Sequence, residues 1–337
     1  MIRHHLSKVF NLFIILALFA TPLTATAATG DFQFAKRLGG TGSDTGYEVA
    51  TDSSGNIIVA GHVTGDADLN GDGDYTDDGE SSTGYGSTDV VFSVFNSDGV
   101  FKFAKRLGGT GTDRGRGVAT DSLGNIIVSG YISGNADLNG DGDSTDGGAE
   151  SGTGFGGYDI FFSVFNSDGE FQFAKRIGST GSDTGLALAV DTSGNIIVGG
   201  YLAGNADLNG DGDNTDGGAE DSTGYGGYDV VFSVFNSSGV FQFAKRLGGT
   251  SSDIPYALTT DTSGNIIVAG LVNGNADLNG DGDSTDGGAE SGTGYGNNDV
   301  FFSVFTFLRA SASHSANSTK GSPRSKISTA LSCAVLA

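Results

Sequence analysis

A unit of about 70 residues, written four times in a chain of 337, predicts an all-β fold: a β-propeller of four repeats with four strands per blade. Three observations carry that prediction. The run Phe-x-Phe-Ala-Lys-Arg begins at Phe32, Phe101, Phe171 and Phe241. The acidic octamer Ala-Asp-Leu-Asn-Gly-Asp-Gly-Asp begins at Ala67, Ala136, Ala206 and Ala276, at the same place in each unit. Past the first 28 residues, no window has the 3.6-residue apolar period of a helix.

In chain order, residues 1–28 read as a secretory signal. Arg3 and Lys8 make a positive start, residues 9–20 are apolar, and residues 25–27 offer a small-x-small cleavage site. The apolar run is shorter than the roughly 20 residues a bilayer span needs. The expected product is secreted, extracellular or periplasmic, with no transmembrane segment in the mature chain.

Residues 29–305 read as the propeller, with repeats at about 31–99, 100–169, 170–239 and 240–305. Each unit reads as four strands, for example 101–107, 46–52, 56–61 and 89–95. Each is a β-branched or aromatic run bounded by Asn, Asp, Ser and Gly turn residues. The two middle strands are apolar on both faces. Ile57 and Val59 oppose Ile58 and Ala60, and Val90, Phe92 and Val94 oppose Val91, Ser93 and Phe95. Strands apolar on both faces belong to sheets stacked between other sheets. The Phe-x-Phe strand alternates and ends in Lys-Arg, which suits a half-exposed outer strand. Residues 32–38 supply one such strand before the first hairpin, and the fourth unit lacks one after Phe305. The expected architecture is therefore a ring closed by the N-terminal strand. An open stack, or a piece of a larger propeller, is the alternative. Residues 306–337 lose the pattern and read as a disordered tail.

Three blocks recur in order: the Gly-rich segment at 38–46, residues 49–61 and residues 89–99. Together they resemble the SBBP-type bacterial β-propeller repeat, over nearly all of 31–305. The resemblance implies a secreted or surface propeller with no fixed catalytic residues. The long acidic insert departs from that family's usual shorter connection.

The insert's chemistry points to calcium, a hard cation that takes six to eight oxygen ligands. Oxygen side chains recur at every second position around a turn-forming glycine, and so many carboxylates in one short loop repel one another unless a cation sits among them. The preferred register places ligands at Asp66, Asp68, Asn70, Asp72, Asp74 and Asp77 in the first copy. It continues with Asn135, Asp137, Asn139, Asp141, Asp143 and Asp146 in the second. The third has Asn205, Asp207, Asn209, Asp211, Asp213 and Asp216, and the fourth Asn275, Asp277, Asn279, Asp281, Asp283 and Asp286. A second register starts each loop two residues later, at Asp68. The loop resembles those of dockerins and EF-hands over about 12 residues, without flanking helices. Solvated turn sequence is the competing account.

The net charge of −23 comes largely from these loops and disfavours nucleic acid or anionic lipid as partners. The single cysteine, Cys333, allows no intrachain disulfide, which leaves metal as the natural staple. His62 is the only histidine inside the array, so histidine triads and multi-histidine zinc sites are excluded there. Asp44, Asp113, Asp183 and Asp253 read as backbone caps, and so do Asp52, Asp121, Asp191 and Asp261. Either set would alternatively supply channel carboxylates. Tyr85, Phe155, Tyr225 and Tyr295 follow the acidic loops, with Tyr158 and Tyr228 nearby; stacking on sugar and packing the loop fit them equally. Arg114, Arg116 and Pro255 are peculiar to single units. The expected function is a non-enzymatic, calcium-binding structural or adhesion-type module for an extracellular glycan or protein. The alternative is a polysaccharide hydrolase or lyase that uses channel carboxylates.

Overall fold

The computed structural model describes residues 30–77, 80, 85–150, 156–214, 226–285 and 297–307. The proposed signal segment and nearly all of the proposed tail lie outside these residues.

The described residues are all-β apart from one 3-10 turn at Gly148–Glu150. The chain opens with β1 (Gly39–Gly40), β2 (Thr45–Thr51), β3 (Ile57–Val63), β4 (Ala67–Asp68), β5 (Asp89–Phe95) and β6 (Phe101–Gly109). The second unit gives β7 (Arg114–Thr120), β8 (Ile126–Ile132), β9 (Ala136–Asp137), β10 (Asp159–Phe165) and β11 (Phe171–Ser179). The third gives β12 (Thr184–Val190), β13 (Ile196–Leu202), β14 (Ala206–Asp207), β15 (Asp229–Phe235) and β16 (Phe241–Gly249). The last gives β17 (Ile254–Thr260), β18 (Ile266–Val272), β19 (Ala276–Asp277) and β20 (Asp299–Phe305).

These strands form antiparallel meanders. The order is β2-β3-β5-β6 in the first blade, β7-β8-β10-β11 in the second and β12-β13-β15-β16 in the third. Among the described residues the fourth has three strands, β17-β18-β20. The short strand at the head of each acidic loop pairs with the end of the preceding Phe-x-Phe strand, as β9 does with β6. Each loop is thereby tied to the blade before it.

The doubly apolar middle strands are buried on both faces. Every residue of β5, β8, β10 and β15 is buried. Their side chains fill three cores, one at each junction between successive blades. Val90, Phe92 and Val94 of the first blade meet Val118, Val128, Phe161 and Phe165 of the second, and the pattern repeats twice. Each buried Phe or Val contributes about 1.5–3 kcal/mol of transfer free energy. Thr45, Arg114, Thr184 and Ile254 begin the innermost strands, and each of those strands carries a β-bulge. A Cβ on Gly61, Gly130, Gly200 or Gly270 would strike the carbonyl of that first residue, so the position just before its partner is glycine in all four blades.

Ring closure is where the structure departs from expectation. Residues 31–38 form no strand, and among the described residues β20 pairs only with β18. Val300, Phe302 and Val304 of β20 are 91%, 71% and 54% exposed. The N-terminal segment instead stays with the first blade, anchored by the pairing of β1 with β4. That local pairing is the one made in every repeat, where the end of each Phe-x-Phe strand meets the next acidic loop.

Candidate functional site

Each acidic loop is organised by its second acidic position. The Asp68 carboxylate accepts from the backbone N–H of Asn70, Gly71 and Gly73 at 3.1, 2.5 and 2.8 Å. Asp137 does the same with Asn139, Gly140 and Gly142. Asp207 and Asp277 accept from Gly210 and Gly212, and from Gly280 and Gly282. Gly71 and Gly73 turn at φ 75° and 99°, a region closed to most side chains.

Within the turn the asparagine side chain gathers the remaining carboxylates. Asn70 Nδ2 donates to Asp72 and Asp77 at 3.3 and 2.6 Å. Asn139 Nδ2 donates to Asp141 and Asp146, both at 3.2 Å. The structure thus brings together Asp68, Asn70, Asp72 and Asp77, and likewise Asp137, Asn139, Asp141 and Asp146. Asn209 reaches Asp211 in the same way, while Asp216 and Asp286 lie outside the described residues. Asp66, Asn135, Asn205 and Asn275 are exposed at the foot of the loop, and the charge of Asp66 acts on Arg106. Asp74, Asp143 and Asp283 are also exposed and accept from the hydroxyls of Thr76, Thr145 and Thr285. Asp68, Asn70 and Asp72 are ligand positions in both registers, and Asp77 only in the one that begins at Asp66.

A carboxylate outside the alternating ligand pattern closes each described loop end. Glu80 is 2% exposed and accepts from the N–H of Leu69 and Asp77. Glu150 is 5% exposed and accepts from Leu138 and Asn139 through Oε1, while its buried Oε2 has no hydrogen-bond partner. Burial, with Asp137 and Asp146 nearby, pushes the Glu150 carboxyl above its usual range. Its signal in the sequence is a glutamate that ends the insert in every copy: Glu80, Glu150, Glu220 and Glu290. Among the described residues no three carboxylate or histidine groups stand close enough to hold an ion as placed, because the asparagine amide lies between them.

The Lys-Arg pairs are not simple edge charges. Lys105, Lys175 and Lys245 donate to the loop carbonyls of Gly140, Gly210 and Gly280. Arg106, Arg176 and Arg246 are 2–3% exposed and ion-paired with Asp89, Asp159 and Asp229 at 3.3, 2.8 and 2.9 Å. Leu107 on the alternate face packs against the next blade, while Arg106 turns to its own repeat and donates to the carbonyls of Gly65 and Glu80. Tyr85 crosses to the following loop, donating to Asp137 at 2.8 Å with Arg106 over its ring at 5.6 Å. Tyr85 therefore packs one loop onto the next; Phe155, Tyr225 and Tyr295 lie outside the described residues.

The aspartates before and after the inner strands are caps. Asp113 accepts from Gly109 and Ser133, and Asp121 from Leu123 and Asn125. Asp113 and Asp183 are fully buried, and burial pushes each carboxyl up to about 6. The folded state therefore holds these protons more tightly than the unfolded chain, where Asp titrates near ~3.9. Between about pH 4 and pH 6 stability falls as pH rises. In EDTA, we expect a higher melting temperature at pH 5 than at pH 7.5; a lower one would contradict this assignment.

At the inner strands of the second to fourth blades lies a cleft of about 580 Å³. Its lining includes Arg114, Arg116, Tyr131, Tyr158, Tyr201, Tyr228 and Tyr256, and no carboxylate. Tyr131 and Tyr158 pack edge to face at 5.3 Å, and Tyr201 and Tyr228 at 4.9 Å. The Arg116 guanidinium sits 4.1 Å from the Tyr47 ring centre and 5.7 Å from that of Tyr131. Arg114 and Arg116, which stand out in the sequence only as departures from the repeat, are thus neighbours in one cleft.

Among known proteins, residues 102–138 match the family described as SBBP, a beta-propeller repeat. That match runs from β6 to the head of the second acidic loop. A relative is the Regulatory protein FlaEY of Caulobacter vibrioides, 26% identical over 259 residues. The alignment covers 74% of this chain and 24% of FlaEY, so the chain spans about a quarter of that relative's length. A crystal structure of a protein of unknown function from Bacteroides caccae aligns with a TM-score of 0.31 and 10% identity. It covers 67% of this chain and 53% of that one. The described chain is an all-β array of antiparallel sheets that carries an SBBP β-propeller repeat, and no described helix is long and apolar enough to cross a membrane.

Proposed function

We propose that this is a secreted or cell-surface β-propeller module of four repeats. Its acidic loops bind calcium, and its cleft binds an acidic extracellular glycan without turnover. The observation that carries the ligand reading is the composition of the cleft. In a chain with a net charge of −23, the cleft brings two arginines together with five tyrosines and no carboxylate. Guanidinium forks suit the carboxylates or sulfates of an acidic sugar, and tyrosine faces suit its ring.

The calcium reading is supported by the donor set. In the second loop Asp137, Asn139, Asp141, Asp146 and Glu150 are oxygen donors of the type calcium takes. The partnerless Glu150 Oε2 is the buried atom a cation would satisfy. The Asn139 amide, donating to two carboxylates, performs by hydrogen bonds what a cation would do by charge. When bound, calcium would neutralise the loops and stiffen the face they share.

The polysaccharide hydrolase or lyase alternative needs a free acid–base pair. The repeated aspartates named for that role are engaged in caps, as Asp113 and Asp183 are. A glycan array run in calcium, carrying uronate, sulfated and neutral sugars, tests the module reading. Binding confined to acidic sugars, weakened tenfold or more in R114A/R116A, is expected. Retention of neutral sugars alone, or release of cleaved products, would overturn it.

A further inference from the structure

The two ends of the array expose complementary halves of a junction that the chain builds three times internally. At each internal junction, one blade presents the alternate residues of its third strand. On the first three blades those residues are Val90, Phe92 and Val94, then Ile160, Phe162 and Val164, then Val230, Phe232 and Val234, none more than 3% exposed. On the fourth blade the same positions are Val300, Phe302 and Val304, all more than half exposed. The receiving face of the first blade is open in part, with Phe95 and Val91 already at 3% and 9% exposure. Val118 and Leu188 are 3% and 9% exposed against the preceding blade, whereas Val49 of the first blade is 62% exposed.

The outer strand of a preceding blade is already in place. Phe34 lies against Gly99 as Phe103 lies against Gly169 and Phe173 against Gly239. β1 pairs with β4 as the end of β6 pairs with β9. Residues 32–38 therefore sit where the outer strand of a blade before the first would sit. Among the described residues the fourth blade is a three-stranded sheet without this strand.

We propose that two copies of this chain join head to tail, each supplying residues 32–38 as the outer strand of its partner's fourth blade. The register follows from the complete blades, where Val90, Phe92 and Val94 pair with Leu107, Lys105 and Phe103. Val300, Phe302 and Val304 then pair with Leu38, Lys36 and Phe34 of the other copy. The inter-blade aromatic contact repeats as well. Phe92–Phe165, Phe162–Phe235 and Phe232–Phe305 lie 5.0–5.1 Å apart, and Phe302 takes the same place beside Phe95 of the second copy.

A second copy is the occupant because both halves of the junction are on this chain and match the three internal ones position by position. A head-to-tail contact is heterologous, so it makes an open filament unless rotation closes it. Two copies close it with two identical junctions and eight blades, the upper end of the usual 4–8. Within the single chain, residues 32–38 form no strand and, among the described residues, β20 pairs only with β18. The junction is built from the repeat geometry alone and needs neither calcium nor glycan.

The test is the solution mass of the full chain by light scattering after gel filtration. The mass of two chains is expected. V300D/F302D, which alters only exposed positions of the single chain, is expected to halve the mass while keeping the β-sheet circular dichroism. A second experiment oxidises L38C/V300C in a C333S background. A covalent dimer on a non-reducing gel supports exchange between copies. A single-chain mass for the unaltered protein, or a bridge confined within one chain, would overturn it.

Discussion

Millimolar calcium is expected to raise the melting temperature of this chain, relative to EDTA, by on the order of 20 °C when free calcium stands about 100-fold above Kd. The size follows from linkage. One site at that saturation contributes roughly 2.7 kcal/mol, and four independent sites give on the order of 10 kcal/mol. For a domain of this size each kcal/mol moves the melting temperature by roughly 2–4 °C. The structure supplies the reason for so large an effect. The loops are part of the packed array: β9 pairs with β6, Lys105 holds Gly140, and Tyr85 ties the preceding loop to Asp137. Ordering a loop therefore stabilises the blade before it. The first-copy variant Asp68→Ala removes one site together with three backbone caps, so it lowers the melting temperature even in EDTA. Asp74→Ala touches only an exposed Thr76 contact and leaves the EDTA value within a degree or two.

The second large effect lies in the blade interior. Replacing Arg176 by alanine costs about 3–5 kcal/mol, because it strands the buried Asp159 carboxylate without its counter-charge. The guanidinium also donates to the Gly134 carbonyl at 2.7 Å, so its loss frees the turn that leads into the second acidic loop. Burial already pushes Asp159 above its usual range against the pull of Arg176. Replacing both partners with apolar residues of similar volume should cost far less than R176A alone. Denaturant titration of R176A, D159L and R176M/D159L measures this directly. A double variant as destabilised as R176A would show that the pair acts through contacts other than its charges.

Much of this architecture was legible in the residues. The doubly apolar runs at 56–61 and 89–95 announced strands buried between sheets; every residue of β5 and most of β3 are buried. Asp113 and Asp121 beside Gly and Ser turns announced caps, and each accepts backbone N–H bonds there. Other features were not legible, each for a physical reason. The burial of Arg106 depends on the loop carbonyls of Gly65 and Glu80 folding back over its strand, which a Lys-Arg pair does not announce. Ring closure depends on the rotation between blades, a quantity no single repeat encodes. Glu80 and Glu150 were passed over because they fall outside the alternating ligand pattern. The cleft was missed because its tyrosines and arginines come from three repeats.

The most direct measurement is a calorimetric titration of the chain with calcium alone. About four equivalents per chain are expected, with Asp137→Ala removing one and Asn135→Ala removing none. Absence of binding heat at millimolar calcium would contradict the loops as calcium sites. Loss of a site on replacing Asn135 but not Asp137 would contradict Asp137 as the residue that organises its loop.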